Sequence, residues 1–253
     1  MACPRHISPA LLFLWISLCP MHLPAREAVE IIERMENAMR GESSQAAMTM
    51  VIERSRYRRE ISLRYWLKGR RYSMIAITAP ARDQGTAYLM RDNEIWNYDP
   101  RIERTTRLPS SMMAQSWMGS DFTNDDLVRD SNVVDDYEHE IIAIETYRDR
   151  RCYLVEMIPR PDTPVVWGKV RMWIDTEDYL QLKIENYDQQ GALVNTMKLD
   201  QIRKLHDREI PTRITVIPAD RDDHRTILEY QSLQFNVDLQ ESFFTRANMQ
   251  RLR

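Results

Sequence analysis

The sequence predicts a mainly β protein with flanking helices (α+β), built as an incomplete antiparallel β-barrel with an N-terminal helix and a helical lid. Three observations predict this class. Apolar and polar residues alternate with a period of two through most of the chain. Turn signals separate these segments at short intervals without intervening helices, which favours an antiparallel meander. Several strands are apolar on both faces, and an unclosed barrel around a hydrophobic interior gives both faces a cover.

The first 25 residues have the features of a secretory signal peptide. A weakly basic start precedes an apolar run at 10–19 that is too short to span a bilayer, and a small-residue cleavage site follows at Ala25. We therefore predict an exported chain with a single domain at 26–253. Cys19 leaves lipid anchoring open, although the residues before it lack the small side chain expected beside a lipidated cysteine.

Composition argues against several classes of function. The formal net charge is −3 and no long basic block occurs, so nucleic-acid binding is not indicated. Cys152 is the one cysteine outside the predicted signal, which leaves no intramolecular disulfide and favours a structural thiol. The acidic residues at 121–126 and 135–140 lack the spacing of an EF-hand and are interpreted as helix caps and a solvated strand entry. The sequence predicts no metal site and no cofactor.

The first structural element is predicted to be an amphipathic helix at 26–40, which Gly41 ends. Its apolar stripe contains Ala28, Ile32, Met35 and Met39. Glu36 is expected to face water with the other charged residues. A helix with one apolar stripe must pack on another element, and the sheet that follows is the candidate.

The period changes to two from Ala46 onward. Strands are predicted at 61–67, 72–79, 85–90, 94–98, 138–147, 151–159, 165–175, 180–187, 193–205, 212–218 and 224–235. Two of them are apolar on both faces: the strand at 72–79, and the strand at 165–175, where Val165, Trp167 and Trp173 are expected to oppose Val170, Met172 and Ile174. The last residues, 240–252, are predicted to be short helix or loop.

An apolar segment at 108–127, here called the Met/Trp insert, interrupts the strands. Its large apolar residues are dense enough to form one flank of a helix, and methionine side chains can repack around ligands of variable shape. The insert is therefore predicted to be a lid over an apolar cavity, with an ordinary core helix as the alternative. Asp121 or Thr123 is predicted to cap a second short helix at 124–130.

Three motifs then resemble a known family. They are Gly85-Thr86-Ala87-Tyr88-Leu89-Met90, Ile95-Trp96-Asn97-Tyr98-Asp99-Pro100, and the run from Arg107-Leu108-Pro109 through Gln115-Ser116-Trp117-Met118-Gly119-Ser120-Asp121-Phe122 to Asn124-Asp125-Asp126-Leu127. They resemble the LolA-like outer-membrane lipoprotein-sorting proteins of Gram-negative bacteria. The resemblance covers most of the mature chain and is closer to the broad uncharacterised branch than to the prototype lipoprotein carrier.

The resemblance implies a LolA/LolB-like fold, a periplasmic location and a cavity that shelters acyl chains. It implies an acylated lipoprotein or lipid as cargo, an inner-membrane transporter of the ABC or resistance-nodulation-division (RND) type as partner, and peripheral membrane contact. The prototype carrier also uses an arginine of an early strand to hold its lid shut, and Arg64 is the candidate by position.

A carrier needs no catalytic group, so the chain is predicted not to be an enzyme. The cavity and lid are predicted to use Tyr65, Trp66, Tyr88, Trp96, Met112, Met113, Trp117, Met118 and Trp173. Each of these also fits an ordinary core, because pockets and cores use the same residue types. One alternative is a non-catalytic adaptor of an envelope transporter complex. The other, a lipid esterase using Ser110, Ser111, Ser116, His139 and Asp121, lacks the Gly-x-Ser-x-Gly motif.

Overall fold

The computed structural model describes residues 25–92, 94–129 and 133–252, so the predicted signal peptide with Cys19 lies outside the described residues except for Ala25. Within these ranges the chain forms thirteen strands and three α-helices. The helices are α1 (Ala25–Arg40), α2 (Val133–Asp136) and α3 (Arg246–Met249). The strands are β1 (Ser43–Arg54), β2 (Tyr57–Lys68), β3 (Tyr72–Ala79), β4 (Ala87–Arg91), β5 (Glu94–Asp99), β6 (Arg104–Leu108), β7 (Tyr137–Tyr147), β8 (Arg150–Pro159), β9 (Lys169–Asp175), β10 (Gln181–Tyr187), β11 (Leu193–Leu205), β12 (Arg208–Pro218) and β13 (Arg225–Phe235).

All thirteen strands form one antiparallel sheet in the order β6-β5-β4-β3-β2-β1-β13-β12-β11-β10-β9-β8-β7. Strands that follow each other along the chain therefore pair, apart from β6 and β7, and β1 also pairs with β13, for example at Ala46 opposite Leu233. The sheet stays open between its edges β6 and β7, and residues 109–136 connect them. The prediction of an unclosed antiparallel meander is confirmed.

The predicted strands differ from the structure at several places: no strand bounds were predicted for β1, and β2 and β12 begin at Tyr57 and Arg208, earlier than the predicted 61 and 212. β6 was not predicted, because its exposed residues give it no apolar alternation. The strand predicted at 165–175 begins only at Lys169, and Trp167 packs in one cluster with Val170 and Met172 instead of opposing them. The cause lies at Gly168, where a Cβ would stand only 2.4 Å from the backbone oxygen of Asp188. The chain approaches its neighbour there and joins the strand ladder only after that point.

Helix α1 confirms the predicted helix, and its apolar stripe is buried against β7, β8 and β9. Gly41 ends it at a φ of +65°, with its N–H donated to the carbonyl of Asn37 at 3.1 Å. The prediction that Glu36 faces water is wrong, because this residue is only 8% exposed. It lies inward because Arg40 and Arg70 form ion pairs with it, at 3.3 Å and 3.0 Å.

The sheet is apolar on both faces, as predicted, and each face has its own cover. On β3, Ile75 and Ile77 belong to an inner cluster that includes residues of the Met/Trp insert. Their neighbours Met74 and Ala76 belong to an outer cluster on the opposite face. The C-terminal residues from 237 onward cover that outer cluster, with Leu239, Phe244 and Met249 buried in it. The predicted short helix or loop at 240–252 is thus a structural cover for the outer face.

The Met/Trp insert does not form one continuous helix, so the predicted single helical flank is wrong. It contains two 3-10 turns, Ser110–Met112 and Trp117–Gly119. Helical continuation fails at Met118, whose φ is 50°, and at Gly119, whose φ is +81°. The N–H of Trp117 is donated to the carbonyl of Phe122 at 2.8 Å, which folds the tip back on itself.

The second predicted helix is a π-helical turn, Asp125–Arg129, and Thr123 is its cap as predicted. The N–H of Asp126 donates to Thr123 Oγ1 at 3.1 Å, and the N–H of Thr123 donates to Asp126 Oδ2 at 2.7 Å. This reciprocal pair satisfies two of the donors that a helix start leaves unpaired. The alternative cap, Asp121, bonds elsewhere.

Candidate functional site

An apolar cavity of about 210 Å³ lies between α1, the inner face of the sheet and the Met/Trp insert. Met35 and Met39 of α1 line one side. The sheet contributes residues from β1, β2, β3, β7 and β9 to β13, and the insert contributes Phe122, Asp126 and Leu127. The sequence forms this space because the inward positions of the strands carry aliphatic and methionine side chains, while α1 spans the concave face without filling it.

The size of the cavity limits what it can hold as described. It exceeds the apolar cavity of about 150 Å³ that binds benzene in an engineered protein, but it is smaller than the 300–1,000 Å³ or so of typical ligand pockets. It can therefore accept part of an acyl chain. A whole acylated ligand requires the cavity to widen, and the insert and α1 are the two covers that are not part of the sheet.

Most of the polar groups on the cavity wall are satisfied by partners within the protein. Asp126 Oδ1 accepts a hydrogen bond from Trp167 Nε1 at 3.0 Å, which ties the insert to the loop before β9. Asn186 Nδ2 donates to Asn195 Oδ1 at 3.0 Å. The charged groups Glu36 and Arg40 meet the cavity at the last turn of α1. Most of the wall is thus apolar, and its charged groups are Asp126 of the insert and the Glu36–Arg40 pair of α1.

Two arginines of the early strands hold the tip of the insert. Arg54 Nη1 lies 2.9 Å from Asp121 Oδ2, and both side chains are only 8% exposed. Arg54 Nη2 also donates to the carbonyl of Gly119 at 3.0 Å. Arg59 Nη1 donates to the carbonyl of Met118 at 2.8 Å while its Nη2 pairs with Asp83. The tip is thus fixed by side chains from β1 and β2.

The expectation that Arg64 holds the lid is therefore wrong. Arg64 is exposed on the outer face, where its guanidinium lies 4.8 Å from the ring centre of Trp66. Strand alternation explains the difference. Arg59 lies an even number of residues from Ile61 and Leu63 and so points to the inner face with them, whereas Arg64 points to the outer face. The same alternation places Arg54 on the inward side of β1. The alternation of inward and outward positions along β1 and β2 was the sequence signal that could have identified both arginines.

Six of the nine predicted cavity and lid residues come together at the inner cluster. Tyr88, Met113 and Trp117 are buried in it, and Tyr65, Met112 and Met118 pack against it. Tyr65 also lines the cavity. The rings of Tyr88 and Trp117 have centres 5.5 Å apart, and burial raises the pKa of Tyr88 to about 12, so its hydroxyl stays protonated at neutral pH. These residues place the insert firmly on the inner face.

The other three predicted residues lie away from the cavity. Trp66 and Trp96 belong to the outer cluster, where the centre of the Trp66 ring lies 5.5 Å from that of Phe243. Trp173 lies on the opposite face of β9 from Met172 and hydrogen-bonds Glu145. The sequence identified these aromatic side chains as large and apolar, but two apolar faces made their direction ambiguous.

Three of the five groups considered for an esterase are engaged elsewhere. Ser116 Oγ donates to the carbonyl of Ser120, Asp121 pairs with Arg54, and His139 Nε2 lies 2.7 Å from the carbonyl of Val133. No hydrogen bond among residues 25–92, 94–129 and 133–252 joins one of the serines to His139. Cys152 is buried, and burial raises its pKa to about 11, which fits a structural thiol.

The described part of the chain contains no cluster of three or more histidine, cysteine or acidic side chains placed to hold a metal ion. None of its helices combines the length and the apolar character needed to cross a membrane.

Comparison with known proteins identifies both the family and the fold. The model of a family described as "Uncharacterized protein" matches residues 69–251. A structure described as an outer membrane lipoprotein-sorting protein domain from Vibrio parahaemolyticus is 23% identical, with a TM-score of 0.80, over 90% of this chain and 100% of its own. A DUF1329 family protein from Desulfovibrio piger is 23% identical, with a TM-score of 0.80, over 91% of this chain and 99% of its own.

A LolA superfamily protein from Nitrosomonas europaea is 24% identical, with a TM-score of 0.76, over 87% of this chain and 98% of its own. A comparison with curated proteins finds no match. At these identities the solved structures show a shared fold. The chain therefore belongs to the uncharacterized family whose model spans residues 69–251, and its fold is the LolA-like fold that the sequence resemblance predicted.

Proposed function

We propose that this protein is a periplasmic carrier that shelters the acyl chains of a lipoprotein or lipid during outer-membrane sorting. The observation that carries the proposal is the apolar cavity enclosed by α1, the inner face and the Met/Trp insert. The description of the Vibrio parahaemolyticus structure as a lipoprotein-sorting domain supports the class of cargo. In this proposal the chain is not an enzyme, and its partners are the acylated cargo and an inner-membrane transporter of the ABC or RND type.

Carriage of this kind depends on moving apolar surface out of water. Each buried methylene of an acyl chain contributes about 0.8 kcal/mol. Opening the insert exposes Met113, Trp117 and Phe122, which are 5%, 0% and 3% exposed in the closed form. Each costs about 1.5–3 kcal/mol to expose, so an acyl chain must cover these side chains as the insert moves. The methionines let the insert repack around chains of different shape.

The adaptor alternative has one specific observation in its favour. Ile142, Ile144 and Ile158 are 38–44% exposed on β7 and β8 at the open edge of the sheet, a position that suits a protein partner. The insert itself does not support this alternative, because Met113 and Trp117 are buried and present no surface. A pure adaptor would purify without lipid and would gain no lipid on incubation.

The carrier proposal is tested by native mass spectrometry and lipid extraction after gentle purification from a periplasmic fraction. We expect a bound acylated molecule, or uptake of a fluorescent fatty-acyl probe after delipidation. A Leu63→Phe variant, which fills the cavity, should lower uptake, whereas Met74→Phe on the outer face should not. Melting curves for both variants separate lost binding from lost folding. Lipid-free protein that takes up no probe contradicts the proposal.

Export is tested separately, by N-terminal sequencing of the periplasmic protein. We expect the mature chain to begin immediately after Ala25. A protein that keeps its first residues and remains in the cytoplasmic fraction contradicts the predicted location.

A further inference from the structure

A charged cluster adjoins the apolar cavity at the last turn of α1. Glu36 and Arg40 both line the cavity, and Arg70 joins them from the turn between β2 and β3. Arg40 Nη1 lies 3.3 Å from Glu36 Oε1, and Arg70 Nε lies 3.0 Å from Glu36 Oε2. Each oxygen of the carboxylate therefore has its own guanidinium.

Exposure increases stepwise through this cluster. The side chain of Glu36 is 11% exposed, that of Arg40 18% and that of Arg70 33%. Asp135 of α2, at 3.7 Å from Arg70, is 62% exposed. The cluster therefore runs from the cavity wall to the surface and forms a charged mouth for the apolar space.

An ion pair at this place has no clear structural benefit. Glu36 lies one residue from Met35 and three from Met39, on the side of α1 that faces the cavity. Removing charges from water is costly, and well-packed apolar residues often stabilise a protein as much as a buried ion pair. A charged group at a mostly apolar wall is more useful when a ligand has both an apolar chain and a charged head.

We propose that Arg40 and Arg70 bind the anionic head, a phosphate or a carboxylate, of an acylated ligand whose chain lies in the cavity. This inference rests on the proposed carrier function and names the class of its ligand. Glu36 occupies the site when no ligand is present and leaves when the ligand arrives. The planar guanidinium group can donate to two oxygens of a carboxylate or of a phosphate, so one oxyanion can replace the other. Because the anionic head of the ligand replaces the Glu36 carboxylate, neither arginine is left without an anionic partner when the ligand binds.

The test compares three amphiphiles that share one chain and differ in the head. Delipidated protein is titrated calorimetrically with dodecyl phosphate, dodecanoate and dodecanol, each below its micelle concentration. We expect the wild type to bind at least one anionic amphiphile more tightly than dodecanol by roughly tenfold or more, as charge-assisted hydrogen bonds predict. The ratio of the two anionic affinities distinguishes a phosphate head from a carboxylate head.

Substitutions then test the individual residues. Arg40→Gln and Arg70→Gln should each remove most of the preference for the anionic head and leave dodecanol affinity unchanged. Matched controls are Arg34→Gln, on the exposed side of α1 beside Tyr179, and Arg71→Gln, next in the same turn and paired with Asp92. Neither control residue pairs with Glu36 or lines the cavity, so both should keep the wild-type preference.

A Glu36→Gln variant should change the affinity for the anionic amphiphiles in the opposite direction. Removing the internal carboxylate should tighten binding of the anionic amphiphiles by several-fold, because the two arginines lose the competitor that they share. Equal affinity for all three amphiphiles in the wild type overturns the headgroup site but leaves the carrier proposal intact. Binding of none of them overturns the carrier proposal itself. Weaker anionic binding in a folded Glu36→Gln protein overturns the role given to Glu36.

Discussion

Replacing Asp121 by asparagine should release the tip of the Met/Trp insert while the barrel stays folded. Asp121 Oδ2 accepts from Arg54 Nη1 at 2.9 Å and from Thr226 Oγ1 at 2.7 Å. The asparagine oxygen can take both places, so the substitution removes the charge and keeps the shape. The insert alone depends on this carboxylate, because β1 and β13 are joined by their own ladder.

The magnitude follows from the burial of the pair. A hydrogen bond to a charged group contributes about 1.5–3 kcal/mol and one between neutral groups about 0.5–1.5. With a neutral acceptor the Arg54 bond weakens towards the second range, by about 1 kcal/mol. Arg54 then keeps a poorly compensated charge at 8% exposure, which adds a penalty of at least about 1 kcal/mol. Carbonyls of Glu53 and Gly119 still accept from Arg54, so we expect a total near 2 kcal/mol, at the lower end of what these bonds allow.

Hydrogen–deuterium exchange read by mass spectrometry measures this local opening. Where reclosing is fast, 2 kcal/mol corresponds to a roughly 30-fold faster exchange. The informative amides are Trp117, Asn124 and Asp125, which all donate to carbonyls within the insert. Strand amides of β1 and β2 should exchange as in the wild type.

The matched control is Asp92→Asn, which removes the same charge from the exposed pair with Arg71, away from the insert. It should leave the exchange of the insert unchanged. Unchanged exchange in Asp121→Asn, or equal acceleration of insert and strand amides, would refute the idea that Arg54 holds the insert as a separate unit.

Three further predictions test the burial pattern. Trp117→Phe should remove most of the change in tryptophan fluorescence that accompanies uptake of an acyl ligand. The cost in stability should be small, because Trp117 Nε1 has no hydrogen-bond partner. A titration signal equal to that of the wild type contradicts this prediction. Trp66→Ala should lower stability by about 3–5 kcal/mol in urea unfolding without changing the probe affinity of the folded protein, because its ring packs in the outer cluster. Burial lowers the pKa of His139, so as the pH decreases below about 6.5 the unfolded chain takes up a proton before the folded chain does. The free energy of unfolding of the wild type should therefore decrease as the pH is lowered through this range, and His139→Gln should make it less dependent on pH.

The sequence predicted the strands well where one physical signal dominated. The segments 72–79 and 193–205 have the bounds that alternation predicted. β6 was not predicted, because an edge strand with mostly exposed polar residues has no buried face and therefore no apolar alternation. At Val165 and Trp167 the apolar pattern was real, but a close backbone approach at Gly168 decided where the strand begins.

The sequence predicted an apolar cavity, but it did not predict the charged cluster beside that cavity. Alternation does not say which apolar face is concave, so Trp66 and Tyr65 could not be told apart from the sequence. Glu36 was assigned to water because carboxylates are rarely buried without partners, and its partner Arg70 is distant in sequence. Such a pair becomes visible only when the turn after β2 is placed against the last turn of α1.

The position of the Met/Trp insert follows from the topology of the sheet. The chain meanders outward from β1 to β6 and returns from β7 to β13, where β13 pairs with β1. This path leaves one interruption in the ladder of the described strands, between β6 and β7, and residues 109–136 must cross it. Cover at that place cannot come from strand pairing, so side-chain packing and the Arg54 and Arg59 contacts hold it. In the proposed carrier the cavity opens at this crossing, because the insert can move there without breaking a strand ladder.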